Sequence, residues 1–157
     1  MLSDAEYMEQ ALLLAQRAFG LGEVPVGAVV VNEHGYVCGE GHNLRESQQK
    51  PTAHAEIIAI EAASQKLGQW RLSGCTLYVT LEPCLMCAGA IVNSRIKRVV
   101  FGAHDPKAGA TGSLYQINSD ERLNHRFEIT PGVGAEASQK LLQTFFAQLR
   151  QKRTDFK

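Results

Sequence analysis

Three side chains with metal-binding chemistry stand in two separate stretches of the chain: His54 in one, Cys84 and Cys87 in the other. Two cysteines at C-x-x-C spacing can reach one ion from a single turn of helix, and His54 can supply a third ligand from elsewhere. One imidazole and two thiolates fill three of the four positions that zinc prefers, and the fourth is left for a water molecule. The spacing therefore indicates a catalytic type of zinc site.

The C-x-x-C pair taken by itself has other interpretations. It equally predicts a redox pair or half of a structural zinc site. A structural site would need a second pair, but Cys38 and Cys75 stand singly beside predicted strands and are expected to be ordinary small buried residues. A redox pair would not explain the His54-x-Glu56 pattern. The joint pattern is therefore more specific than either half.

Glu56 can lie beside a metal held by His54 only under one condition. A helix turns about 100° per residue, so residues two apart point to nearly opposite sides. Both side chains can face one ion if His54 lies half outside the helix, and Pro51-Thr52 is a plausible start. Glu56 would then move protons and would not be a ligand. The alternative is a glutamate that interacts with the helix dipole in a first turn.

Hydrophobic patterning predicts the elements that position these residues. A capping box at Ser3 and Glu6 begins a first helix, which Gly20 ends. A continuous apolar run at 24–31 and residues 36–39 predict a hairpin, after which the Gly39-Glu40-Gly41 triplet is interpreted as a chain break. Later segments predict three helices, three strands and a functional loop: helices 53–67, 85–94 and 136–152, strands 76–80, 98–102 and 127–130, and the loop 103–120.

The sum of these elements is an α/β fold of three layers. A mixed sheet of about five strands is expected between helices on both faces, with a parallel pair joined by the helix that carries the cysteines. The length of 157 residues fits a single domain, and residues 151–157 are expected to be a frayed tail. Element boundaries from sequence carry an uncertainty of about 2–4 residues.

Composition excludes several classes of protein. Lysine plus arginine equals aspartate plus glutamate at 16 each, so no overall charge indicates a polyanionic partner, and any nucleic-acid surface must be local. The N-terminus lacks the basic and apolar regions of a secretory signal, and no apolar run is long enough to span a membrane. A cytoplasmic protein with reduced thiols and no membrane partner is expected.

Two groups of motifs carry a resemblance to a known family. His54-Ala55-Glu56 followed by Pro83-Cys84-Leu85-Met86-Cys87 resembles the signature of the zinc-dependent cytidine and adenosine deaminases. Residues 23–28, 101–109 and 123–126 more specifically resemble the bacterial tRNA-specific adenosine deaminases. The resemblance spans residue 4 to about residue 150 and implies a cytidine deaminase-like fold.

The resemblance implies a function and its participants. The expected reaction is hydrolytic deamination of adenosine to inosine at the wobble position of a tRNA anticodon. One Zn²⁺ per chain would be held by His54, Cys84 and Cys87 and would make a water molecule nucleophilic near neutral pH. Glu56 is then the catalytic residue, which passes a proton to adenine N1 and later to the leaving amine. The expected partners are the anticodon stem-loop and a second copy of the chain, as a homodimer.

The resemblance also implies a set of substrate-binding residues, and each has a plainer interpretation. Asn43 would hold the base or belong to a turn, and Phe145 would stack on a base or pack in the core. Asp105, Lys107 and Asn124 would meet the anticodon or be solvated loop residues. Arg150 would bind phosphate or be solvated. The set is Asn43, Ala55, Asp105, Lys107, Asn124, Phe145 and Arg150.

Two other functions remain open from the sequence. A deaminase of small molecules, acting on guanine, cytosine or a free nucleoside, would share the zinc residues and differ in the surrounding loops. A non-catalytic RNA-binding module stapled by zinc is the second. Glu56 argues against it, because a purely structural site gains nothing from a carboxylate beside the ion.

Overall fold

A mixed five-stranded sheet forms the centre of the computed structural model, which describes residues 1–155. The first strand pairs antiparallel with the second and third, and the third, fourth and fifth pair in parallel. The order across the sheet is β2-β1-β3-β4-β5. The strands are β1 (Gly27–Val31), β2 (Val37–His42), β3 (Thr76–Leu81), β4 (Arg98–Ala103) and β5 (Glu128–Thr130). The predicted mixed sheet of about five strands is confirmed.

Helices cover both faces of the sheet, as the three-layer prediction requires. They are α1 (Asp4–Gly20), α2 (Arg45–Gln48), α3 (Ala55–Leu67), α4 (Leu85–Ser94) and α5 (Ala135–Asp155), with a 3₁₀ turn at Ile117–Ser119. α1 and α5 pack on one face, and α3 and α4 on the other. The short α2 was not predicted. No helix in residues 1–155 is both long and apolar enough to cross a membrane.

The strand β1 shows why its sequence is a continuous apolar run. Ala28 and Val30 point into the core beneath α3 and α4, while Val29 and Val31 point into the core beneath α1. Both faces of the strand are covered, so neither set of alternating positions is polar. The sequence prediction of a strand buried on both faces is confirmed for Gly27–Val31.

The interpretation of Gly39-Glu40-Gly41 as a chain break is wrong. These residues continue β2, where Gly39 pairs with Val30 and Gly41 with Ala28. A side chain at Gly39 would collide with the backbone of Ala59 and Ala63 in α3, and one at Gly41 with the same helix. The glycines are present because α3 lies against the strand backbone, which is a use of glycine that local sequence does not reveal.

The last helix is longer than predicted. It begins at Ala135 and continues to Asp155, whereas the prediction ended it at residue 152 with a frayed tail from residue 151. Residues 151–155 are therefore helical, which corrects the predicted tail over that range. The rest of the predicted tail, 156–157, lies outside the described residues.

An ion pair joins the start of α1 to the sheet. The two terminal nitrogens of the Arg98 guanidinium group, Nη1 and Nη2, donate to the Asp4 carboxylate at 3.1 and 2.6 Å. The Tyr78 hydroxyl donates to the same carboxylate at 2.7 Å. The hydrogen bonds from Arg98 hold the pKa of Asp4 below its ordinary value of 3.8. The ionised carboxylate therefore stabilises the fold above that ordinary value, and this contribution is lost as the pH falls through the lowered pKa.

Replacing Asp4 with asparagine should lower the free energy of unfolding by about 1–2 kcal/mol at pH 7, because the hydrogen bonds lose their charge assistance. The difference from the parent should shrink as the pH falls from the ordinary value of 3.8 through the lowered pKa, because the carboxylate of the folded parent then becomes protonated as well. Urea unfolding at a series of pH values measures both effects, with Glu9→Gln on the exposed side of α1 as the control. A difference independent of pH would contradict the ion-pair explanation.

Candidate zinc site and substrate cavity

His54 occupies the position that the sequence argument required. It is the N-terminal capping residue of α3 with extended backbone angles (φ −79°, ψ 152°), so it lies half outside the helix. Its carbonyl accepts the first helical hydrogen bond, from Ile58 at 3.1 Å. Glu56, in the first turn, is 4% exposed and lines the same cavity as His54. The proposed condition for both side chains to face one site is therefore met.

The two cysteines lie at the start of α4, directly after β3. Cys84 is the N-terminal capping residue and Cys87 is in the first turn, where backbone N–H groups and the helix dipole favour thiolates. The Nδ1 atom of His54 lies 3.6 Å from the Cys84 sulfur and 3.5 Å from the Cys87 sulfur. All three donor atoms lie within 4.8 Å of one another.

These separations fit a tetrahedral zinc ion. With Zn–N of about 2.0–2.1 Å and Zn–S of about 2.3 Å, a tetrahedral angle separates nitrogen and sulfur by about 3.6 Å. No fourth His, Cys or carboxylate among residues 1–155 joins the group of His54, Cys84 and Cys87. The donor set is therefore that of a site which leaves one coordination position for a small molecule.

The ionisable groups of the site shift one another's pKa values. A hydrogen bond from Cys87 lowers the pKa of Cys84 to about 4, while the hydrogen bond to Cys84 and burial raise the pKa of Cys87. The hydrogen bond with Cys84 raises the pKa of His54. Without a cation, one thiol thus stays protonated beside a thiolate. A divalent cation would displace the remaining protons, so metal binding releases protons and weakens in acid.

A cavity of about 220 Å³ is lined by two residues of the donor group, His54 and Cys84. Its wall combines apolar side chains from the segment before β1 and from the end of β3 with a few polar groups. Burial raises the pKa of Glu56, which points into this cavity, to about 7. Apolar walls with a few convergent polar groups and a perturbed carboxyl are typical of a catalytic site. A larger groove of about 680 Å³ at the opposite edge of the sheet contains none of these groups.

Three of the predicted substrate-binding residues line this cavity: Asn43, Ala55 and Asp105. Asn43 is 8% exposed, its amide group donates to the carbonyl of Val24 at 3.2 Å, and its Oδ1 accepts from the backbone of Arg45 at 3.0 Å. These bonds hold the amide in place and use half of its hydrogen-bonding capacity, since an amide has two N–H groups and an acceptor with two lone pairs.

The other four predicted residues do not line the cavity. Lys107 is exposed in the loop beside Asp105, and Arg150 is exposed on α5. Phe145 is buried and packs edge-on against Phe19, with ring centroids 5.8 Å apart. Asn124 is exposed just before β5, at the start of the parallel strands and therefore at the edge of the sheet away from the zinc residues.

Several cavity residues were not identified from the sequence. Apolar contacts come from Val24, Val26, Leu81 and Ala108, and polar ones from Arg45 and Glu82. Glu82 stands inside the Leu81-Glu82-Pro83-Cys84 stretch, so its position next to the cysteine motif was an available signal. Arg45 is the first residue of the short α2, whose single turn shows no periodic pattern. The apolar positions had no signal distinct from core packing.

Comparison with known proteins agrees with this site. The model of the MafB19-like deaminases matches residues 2–150. The tRNA-specific adenosine deaminase of Bacillus subtilis (strain 168) is 50% identical, over 98% of this chain and 94% of its own length. That of Haemophilus influenzae is 51% identical, over 96% of this chain and 87% of its own.

A solved structure agrees as well. It comes from biochemical and structural studies of A-to-I editing by tRNA:A34 deaminases at the wobble position of transfer RNA, and it superposes with a TM-score of 0.84 at 43% identity. The match covers 87% of this chain and 99% of the other. The chain therefore belongs to the MafB19-like deaminases and, among them, to the family of the tRNA-specific adenosine deaminases.

Proposed function

We propose that this protein hydrolytically deaminates adenosine to inosine at the wobble position of a tRNA anticodon. The single observation that carries the proposal is that the buried Glu56 carboxyl lines one cavity with His54 and Cys84, two members of the donor group that Cys87 completes. This arrangement supplies a metal site and a proton carrier together. Two bacterial relatives that match this chain over most of their own length are named for this activity.

We propose one Zn²⁺ per chain as the cofactor. His54, Cys84 and Cys87 would hold it, because a nitrogen and two sulfur donors at the observed separations fit zinc. When bound, the ion supplies Lewis-acid chemistry that makes a water molecule nucleophilic near neutral pH. The thiolate preference at the start of α4 prepares the two sulfurs for this role.

Glu56 carries the proton transfers in this mechanism. Its burial raises the pKa of the carboxyl to about 7, so the group can both accept and release a proton near neutral pH. It takes a proton from the attacking water molecule and delivers it to adenine N1, and it then takes the proton of the new hydroxyl group and donates it to the amine, which leaves as ammonia. A single carboxyl suffices, since each proton that it gains is passed on.

The cavity requires a base that has left its stack. A volume of about 220 Å³, with Val24, Val26 and Leu81 in its wall, admits a nucleobase but not a paired helix. Nucleotides of an anticodon loop can be turned outward, whereas a base inside an RNA helix cannot be reached. Asn43 and Asp105 offer hydrogen-bonding groups at the wall, and we assign them to the base and its nucleotide.

The last helix provides a surface for the RNA beyond the cavity. α5 runs alongside α1, and Phe145 meets Phe19 where α1 ends, next to the segment that leads to the cavity wall. Ten further residues, from 146 to 155, extend the helix by about 15 Å beyond this contact. Arg150 lies on this extension and is assigned to phosphate, with the exposed Phe146 beside it as a stacking surface.

A second copy of the chain is proposed as a partner. Ile57 on α3, Ala90 on α4 and Trp70, which is 55% exposed, line a cleft between these helices on the outer face. An apolar face of this kind is suited to burial against another subunit. We also propose a cytoplasmic location, because the bacterial relatives are named for an activity on tRNA.

The proposal is tested by incubating the zinc-loaded protein with an anticodon stem-loop that carries adenosine at the wobble position. Inosine, measured by mass spectrometry of the digested RNA, should form there and not at other adenosines of the same RNA. Free adenosine, guanine and cytosine serve as competing substrates. Faster turnover of any of these small molecules than of the stem-loop would instead support a small-molecule deaminase.

A further inference from the structure

A buried carboxylate next to the zinc residues has no role in the chemistry described so far. Glu82 is 2% exposed and follows β3, two residues before Cys84. It faces the loop of residues 104–113, which we call the wall loop because Asp105 and Ala108 in it line the cavity.

The wall loop turns five donors toward this carboxylate. Backbone N–H groups of Asp105, Thr111 and Ser113 donate to it at 3.0, 3.2 and 3.0 Å. The Ser113 hydroxyl donates to it as well, and His104 Nδ1 lies 3.1 Å away. Donors from both ends of the loop thus converge on one side chain, which closes the loop around it. The charge is compensated almost wholly by this loop, as a buried carboxylate requires.

Two further features fix the carboxylate against the wall loop. A side chain at Gly109 would overlap the Glu82 carboxylate, so the loop backbone passes directly over it. The same segment is tied to the cysteine motif, since Ala110 donates to the carbonyl of Pro83 at 2.8 Å and Gly109 forms a bridge with Cys84. The loop position is therefore set by Glu82 on one side and by the start of α4 on the other.

The wall loop in turn fixes the position of residues that line the cavity. The backbone of Asp105 is held by Glu82, and its own carboxylate accepts from the backbone of Lys107 at 3.1 Å and of Ala108 at 3.2 Å. Asp105 and Ala108 line the cavity together with Asn43, and Lys107 between them in sequence is exposed to solvent. Without the carboxylate, the three backbone donors would lose their shared acceptor and the wall would lose its fixed place.

We propose that Glu82 is a positioning residue for the RNA substrate: it acts through the wall loop, by holding Asp105, Lys107 and Ala108 where they meet the wobble nucleotide. This inference rests on the proposed function for the identity of the substrate. It assigns to Glu82 no contact with the substrate, the metal or the reacting atoms. Binding of the stem-loop should therefore depend on Glu82 more than the chemical step does.

The test is Glu82→Gln in the zinc-loaded protein. Glutamine keeps the size of the side chain but removes the charge and turns an N–H₂ group toward backbone donors. We expect KM for the stem-loop to rise by about tenfold with kcat changed by less than about threefold, as for lost binding contacts. Zinc should stay at one per chain, and hydrogen exchange of amides 105–113 should become faster. Glu9→Gln, on the exposed side of α1, is the control for kinetics.

A milder variant and a matched buried carboxylate sharpen the result. Ser113→Ala removes one donor and leaves the charge, so it should shift KM in the same direction by about threefold. Glu23 is also buried, and it accepts from Glu46 and Ser47 in the α2 segment. Glu23→Gln should therefore speed exchange in residues 44–48 and leave the wall loop protected.

Two outcomes would overturn the proposal. Unchanged KM and unchanged exchange in Glu82→Gln would remove any role in holding the wall, and loss of zinc in step with activity would assign Glu82 to support of the metal site. Failure of the proposed function is distinguishable from both. In that case the parent protein would not deaminate the stem-loop, while the exchange of amides 105–113 would still report on Glu82.

Discussion

Replacing Glu56 with glutamine is expected to lower the rate of adenosine-to-inosine conversion by about 10²–10⁴-fold, the range that positioned proton-transfer groups typically supply. Glutamine has nearly the same shape but cannot give up and regain a proton. Glu56 also lies outside the donor group of His54, Cys84 and Cys87, so zinc should remain at one per chain in the variant. Single-turnover assays on the anticodon stem-loop, with metal analysis of the same sample, measure both quantities.

The matched control for this variant is Glu9→Gln on α1. Glu9 is exposed and contributes no group to the catalytic cavity. Its replacement should leave the rate unchanged. Conversion at the parent rate by Glu56→Gln would show that the proton carrier has been assigned to the wrong residue, whereas loss of zinc would show that Glu56 supports the metal site.

The second large effect is expected for Cys87→Ala. This change removes one of three donors and leaves a thiolate and an imidazole, which hold zinc far more weakly than the full set. Stoichiometric zinc and activity should both be lost. Because the Cys87 side chain is fully buried, some loss of stability is also expected, and thermal unfolding should be recorded alongside metal content.

Cys75→Ala separates the two contributions to the Cys87 result. Cys75 is a buried free cysteine that lies outside the metal group, so its replacement should cost packing energy but no zinc. Zinc retained at one per chain in Cys87→Ala would remove that cysteine from the ligand set. Equal zinc loss in both variants would point to general destabilisation as the cause.

The metal residues and the order of the elements were accessible from the sequence because both are local patterns. The spacing of Cys84 and Cys87, the Pro51-Thr52 helix start before His54 and the apolar period of α3 each depend on neighbouring residues. Glycine at position 68, in a left-handed conformation, ends α3 where the pattern predicts.

What the sequence did not reveal depends on contacts between distant segments. The glycines of β2 were misinterpreted because α3, which requires them, comes later in the chain. Glu82 gave no hint of the five donors in the wall loop, and Asn124 gave none of its place at the far edge of the sheet. The short α2 has a single turn, too brief for any periodicity.

Because α3 lies so close to β2, substitutions in the strand can shift this helix in one direction only, away from the strand. Glycine is already the smallest residue, so nothing at positions 39 or 41 can bring the helix nearer to the strand, and any replacement lifts it away. His54 caps the N-terminus of that helix and would move with it, away from the sulfur atoms of Cys84 and Cys87 at the start of α4. Positions 39 and 41 therefore help to set the distance between His54 and the two sulfur atoms, and a substitution at either position can only increase it.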